Sequence, residues 1–107
     1  MANIYITPVG VTLDTSETTI YTTPASTEAM VIVRFANVDT VTRNLNAWVY
    51  SSGSASDAKR IVPLDFQIVS GQQLELGPLY LSAGYKITAT ASSANKINAV
   101  PMGIETT

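Results

Sequence analysis

The sequence predicts an all-β protein, a single antiparallel β-sandwich of about eight strands with jelly-roll or immunoglobulin-like topology. Apolar and polar residues alternate with a period of two in nearly every stretch between turns, as in residues 85–91. Breaks rich in Ser, Gly and Asp interrupt this pattern at short intervals, which is typical of antiparallel sheets. At 107 residues the chain can bury one core, so we expect one domain over residues 1–107.

The first four strands are predicted at residues 3–9, 18–23, 28–38 and 43–51. Each is rich in Ile, Val, Tyr or Thr, the residues that suit a pleated surface. The N-terminal segment, residues 1–9, is open to two interpretations. It is either the first strand of the core or an arm that pairs with a neighbouring subunit, because apolar terminal segments commonly add to another chain's sheet.

The last four strands are predicted at residues 59–69, 72–81, 85–91 and 95–104. They follow a loop at residues 51–57, whose Ser and Gly content indicates flexibility. The alternation assigns a core face to these strands and to residues 28–38. The predicted core consists of Val31, Val33, Phe35, Val62, Leu64, Phe66, Ile68, Leu74, Leu76, Tyr85, Ile87 and Ala89.

Two strands, residues 28–38 and 43–51, are apolar on both faces, and we expect them to pair and to share a second face. An antiparallel strand of this kind needs cover on both sides, from another chain or from a loop of its own chain. Aromatic side chains are favoured interface anchors because they bury much area at little entropic cost. The predicted interface residues, with those of the N-terminal strand, are Ile4, Tyr5, Ile6, Met30, Ile32, Arg34, Trp48 and Tyr50.

Composition argues against most chemical functions. The chain has no His and no Cys, which removes the usual nucleophile–base pairs and thiolate ligands, and its carboxylates fall mostly in turns. We therefore expect no catalytic residue, no cofactor and no metal. The net charge is −2 with scattered basic residues, so direct nucleic-acid binding is not expected. The longest apolar run, residues 29–33, is too short to cross a bilayer, and the N-terminus does not look like a secretory signal.

Several short phrases recur in a known class of proteins. Residues 20–24 read Ile-Tyr-Thr-Thr-Pro, residues 30–39 form an apolar strand that ends in Asn-Val-Asp, and residues 79–89 contain a Leu strand followed by Ser-Ala-Gly-Tyr-Lys-Ile-Thr-Ala. This order resembles small β-sandwich virion proteins of tailed bacteriophages over roughly residues 18–91. The sequence departs from the pattern at Tyr85, where an acidic residue is commoner.

The resemblance implies a structural protein of the virion, assembled in the host cytoplasm. The expected role is a capsid decoration (cement) protein that stabilises the head by binding the lattice of the major capsid protein, and the expected self-association is a homotrimer. A neck, tail or fibre component is the alternative within this class. A carbohydrate-binding module is the alternative outside it, in which Trp48, Tyr50 and Tyr80 would form a stacking platform. We do not expect an enzyme.

Overall fold

The computed structural model describes residues 2–107 and confirms the β-sandwich. Two antiparallel sheets pack face to face around one apolar core. Within the described residues there are nine strands and a short 3-10 turn at Asp57–Lys59. The strands are β1 (Asn3–Ile6), β2 (Val11–Thr12), β3 (Thr18–Thr22), β4 (Glu28–Asn37), β5 (Arg43–Tyr50), β6 (Phe66–Ile68), β7 (Gln73–Leu81), β8 (Lys86–Ala91) and β9 (Ile97–Thr106).

The strand order is that of a jelly roll. The sheet that we call the front sheet has the order β1-β9-β4-β7, and β2 pairs with β9 beside β1. The back sheet has the order β3-β8-β5-β6. Within residues 2–107, β1 and β2 follow each other along the same edge of β9, the β5–β6 connection joins neighbours of the back sheet, and every other connection crosses from one sheet to the other. This crossing distinguishes the fold from an immunoglobulin sandwich, in which several successive strands form hairpins.

The core lies between the sheets and follows the alternation of each strand. The predicted core residues that are buried are Val31, Val33, Phe35, Val62, Ile68, Ile87 and Ala89. Phe66, Leu74 and Leu76 are half-buried and pack against them. The prediction is wrong for Leu64, which is 68% exposed, and for Tyr85, which is 40% exposed. Fully buried residues that it omitted are Leu13, Leu45, Ala47, Ile97 and Ala99.

The predicted strand at residues 59–69 is reduced to the three residues of β6. Pro63 has no N–H to give to a ladder, and Asp65 has a φ of +50°, outside the extended region. The backbone N–H of Asp65 donates instead to Asn46 Oδ1, at 2.9 Å. Residues 57–65 therefore lie as a loop over the outer side of β5, and Leu64 points into solvent.

The first predicted strand is an ordinary strand of the front sheet. Asn3–Ile6 pairs with residues 103–106 of β9, and after a break at residues 7–10 the short β2 pairs with Ala99 and Asn98 of the same strand. The backbone groups of Ala2 and Thr107 exchange two hydrogen bonds, of 3.3 and 3.0 Å. Since bonding alternates along an antiparallel pair, the N–H and C=O of Asn3 and Tyr5 face away from β9, toward the open edge.

Candidate partner interface

The strands predicted to share an interface face lie in opposite sheets. β4 is central in the front sheet and β5 is central in the back sheet. The side chain of Asn37 fixes the crossing between them, because its Nδ2 donates to the carbonyls of Val41 and Ile68, at 2.9 and 2.7 Å. The prediction of one face formed by both strands is therefore wrong. Their outer sides point in opposite directions, away from the core.

The outer side of the front sheet, which we call the front face, carries rows of apolar side chains. The strand register places Tyr5, Ile104, Met30 and Tyr80 directly beside one another across four strands. Tyr5 is 82% exposed and Tyr80 is 77% exposed, whereas the two aliphatic side chains between them are half-buried. The predicted interface residues Tyr5, Met30, Ile32 and Arg34 therefore do lie on one surface.

The sequence-based prediction omitted three residues of the front face. Ile104 lies opposite Met30, Met102 opposite Ile32, and Val100 opposite Arg34. All belong to β9, where even-numbered residues point outward and odd-numbered ones point into the core. The signal was present, because residues 97–104 are apolar on both faces just as residues 28–38 are.

Charged residues lie at the two ends of the front face along β4. Glu28 is exposed at one end, beside a depression of about 390 Å³ that Asn3, Met30, Tyr80, Ile104 and Thr106 also line. Arg34 is near the other end and donates to Glu75 across the β4–β7 pair, at 3.0 Å. Both partners of this ion pair are about half exposed, so water screens it and it adds little to stability.

The outer side of β5, in the back sheet, is covered by its own chain. The guanidinium of Arg60 lies 5.1 Å from the ring centre of Trp48, and the two residues form an isolated β-bridge. Tyr50 is 95% buried, with the ammonium groups of Lys59 and Lys86 5.1 and 4.9 Å from its ring centre. The loop at residues 51–65 thus supplies the intrachain cover for this strand.

A polar cluster anchors Tyr50 at one end of the back sheet. Its hydroxyl donates to Glu17 Oε2, which raises the pKa of Tyr50, and burial raises it further. The hydroxyls of Thr88 and Tyr50 lower the pKa of Glu17, and the nearby ammonium of Lys86 adds to this effect. The Tyr50 hydroxyl forms a hydrogen bond with the Glu17 carboxylate, whereas the Thr88 hydroxyl is near this carboxylate without forming one. These contacts hold the strands together and leave Tyr50 unavailable as an interface anchor.

A second tyrosine links the two sheets. Tyr21 of β3 donates to Glu105 of β9 at 2.5 Å. Burial raises the pKa of Tyr21, and the Glu105 carboxylate raises it further. Ile4 and Ile6 lie on the inner side of the neighbouring strand β1, opposite Glu105 and Gly103. Ile6 packs against the core, and Ile4 is 56% exposed at the edge.

The predicted aromatic platform does not exist. Trp48 and Tyr50 are on the outer side of the back sheet, whereas Tyr80 is on the front face. In residues 2–107 no group of three or more Asp or Glu side chains is placed to hold a metal ion. The same residues contain no helix long and apolar enough to span a membrane.

Comparison with known proteins supports the fold alone. No protein-family model matches the chain, and a search of curated proteins finds no significant match. Among solved structures, the chain is similar to a protein of Bacillus endospore appendages, described as a novel family of disulfide-linked pili. The TM-score is 0.61 with 17% sequence identity, over 99% of this chain and 87% of the other.

Proposed function

We propose that the protein is a structural subunit of a multi-copy particle, and specifically a virion protein that decorates the capsid and stabilises it without chemistry. The observation that carries this proposal is the front face. Its central strands β4 and β9 present five half-buried apolar side chains, those of Met30, Ile32, Val100, Met102 and Ile104, and the flanking strands add the largely exposed Tyr5 and Tyr80. On the other side of the molecule, the aromatic side chains of β5 are covered by the chain's own loop. Contiguous apolar surface of this kind marks interaction sites.

The fold and the sequence phrases support the proposal independently. The phrases at residues 20–24, 30–39 and 79–89 resemble phage virion proteins, and the chain is similar in fold to a protein of the Bacillus endospore appendages, which are disulfide-linked pili. This chain, by contrast, has no Cys. Its assembly would therefore rest on apolar contact and hydrogen bonds, and many weak sites engaged together give high avidity.

The open edge of β1 is the second feature suited to assembly. The outward N–H and C=O groups of Asn3 and Tyr5 can extend the sheet with a strand of the capsid protein. Tyr5→Pro tests this, because it removes one outward N–H but leaves the bonds from β1 to β9 in place. Tyr5→Ala is the matched control, since it removes the ring and keeps the N–H. We expect particle binding to fall more for the proline variant than for the alanine variant, and equal binding would contradict strand addition.

The function itself is tested on particles released from cells that carry the gene. Peptide mass spectrometry and antibody labelling in electron micrographs locate the protein, and particles with and without it are heated or osmotically shocked. We expect label over the whole head and lower survival of particles that lack the protein, because a ligand that binds the assembled lattice stabilises it by mass action. Equal survival, or label confined to the neck or tail, would refute capsid decoration.

A further inference from the structure

The front face has a shape and charge pattern that fit a second copy of itself. We propose that two copies stack front face to front face about a two-fold axis that crosses β4 between Met30 and Ile32, with the strands antiparallel. This inference rests on the proposed role as an assembly subunit and names the first partner in that assembly. An interface of this type is isologous, so every contact occurs twice.

Charge complementarity favours the antiparallel stack. Glu28, Met30, Ile32 and Arg34 all point outward along β4, and the midpoint between Glu28 and Arg34 coincides with the midpoint between Met30 and Ile32. Rotation about that midpoint places Glu28 of each copy opposite Arg34 of the other, and Met30 opposite Ile32. The guanidinium of Arg34 gives one N–H group to Glu75, at 3.0 Å, and has further donors for a second carboxylate.

The surface shape agrees with this arrangement. The depression of about 390 Å³ lies at the Glu28 end of the front face. The antiparallel stack brings Arg34 and Val100 of the second copy over it, since these two residues lie opposite each other at the other end. A long cationic side chain would then enter a depression that has a carboxylate on its rim. A parallel stack would instead place Glu28 against Glu28 and Arg34 against Arg34.

The distribution of residue types over the front face is that of a protein interface. Apolar residues occupy the centre of the face and the charged ones lie toward its ends, which is the usual anatomy of such interfaces.

Outward-facing lysines test the surface. In analytical ultracentrifugation we expect the wild type to have twice the mass of one chain, which is 11.4 kDa. Ile32→Lys or Met102→Lys should raise the dimer dissociation constant by at least about tenfold, because each variant buries an unpaired charge. Thr90→Lys is the matched control, since Thr90 is a half-buried, outward-facing residue of the back sheet. Circular dichroism verifies that each variant is folded. A dimer that withstands both lysine variants would overturn the proposal.

Charge inversion tests the pairing. Glu28→Arg places two arginines opposite each other and should weaken the dimer. The triple variant Glu28→Arg, Arg34→Glu, Glu75→Arg inverts all three signs and should restore it, because both the intrachain and the interchain pairs are kept. A triple variant as weak as the single one would reject the pairing of Glu28 with Arg34.

The orientation is measured with spin labels, which the cysteine-free chain accepts at single introduced cysteines. The axis crosses β9 at Gly103, which pairs with Val31 of β4. Thr106 and Val100 therefore each lie three residues from the axis, and Asn98 lies five residues from it. With about 3.4 Å per residue and about 10 Å between stacked sheets, we expect distances between copies of about 23 Å for Thr106→Cys and Val100→Cys and about 35 Å for Asn98→Cys. Similar short distances at all three positions would indicate a parallel stack and overturn the proposal.

The mass measurement also separates this inference from the proposed function. A protein that is monomeric at all concentrations, or trimeric, but is present on capsids would refute the dimer and leave capsid decoration standing. A dimer with the expected mutational pattern, from a protein absent from particles, would support the dimer and refute the decoration role.

Discussion

A glycine in the middle of the front sheet should be the position least tolerant of an added methyl group. Gly103 lies on β9 between Ile6 of β1 and Val31 of β4, with a φ of +146°. A Cβ built there would lie 1.8 Å from the carbonyl oxygen of Met30 and 3.2 Å from the Cα of Val31. Both atoms belong to the backbone of the neighbouring strand, so neither can move without opening the ladder.

Three glycines separate the cost of the clash from the cost of the backbone conformation. Gly103→Ala combines steric overlap, about 1–3 kcal/mol, with strain at positive φ, about 1–3 kcal/mol. Gly84 has a φ of +85° but open space around it, so Gly84→Ala should lose only the strain, about 1 kcal/mol. Gly10 has open space and no positive φ, and Gly10→Ala should gain roughly 0.4–1 kcal/mol because alanine restricts the unfolded chain.

Urea unfolding followed by the fluorescence of Trp48, the single tryptophan, measures the series. Protein concentration is kept constant because a dimer would make the transition depend on it. With an m-value of about 2 kcal/mol/M, a loss of 4 kcal/mol lowers the midpoint by about 2 M urea. The reasoning is refuted if Gly103→Ala and Gly10→Ala unfold at the same midpoint, or if Gly84→Ala is the most destabilised of the three.

Two further expectations concern the core and the tyrosines. Phe35→Ala should cost on the order of 3–5 kcal/mol, because Phe35 is fully buried; Phe66→Ala should cost less, because Phe66 is half-buried on the edge strand β6. Urea midpoints compare the two, and an equal or larger loss for Phe66 would contradict the burial argument. The raised pKa values of Tyr21 and Tyr50 add stability that is present below about pH 10 and is lost as pH rises through the folded-state values. Phenolate absorbance should therefore show two of the five tyrosines titrating late, with one late group lost in Tyr21→Phe; a single uniform titration would contradict both hydrogen bonds.

How the interface residues divide between the two sides of the molecule was beyond the sequence. Two consecutive strands carry these residues, Met30 and Ile32 on the first and Trp48 and Tyr50 on the second. The two strands have the same pattern, because each is apolar on both faces. Their separation depends on the crossing at residues 38–42, fixed by hydrogen bonds from Asn37 to Val41 and to Ile68, a residue far along the chain. The cover over Trp48 depends equally on a distant residue, Arg60, whose own segment had the alternation of a strand.

The sequence by itself determined the fold class and which residues of each strand share a face. Both follow from the period-two alternation, a local property that any extended strand must satisfy to bury one side. The tertiary structure alone decided which strands are neighbours, and hence that the front face is open while the back sheet covers itself. Many strands have apolar faces of similar pattern, so several pairings satisfy the alternation equally well. The pairing that forms is the one with the most favourable complete set of contacts between residues distant in the chain.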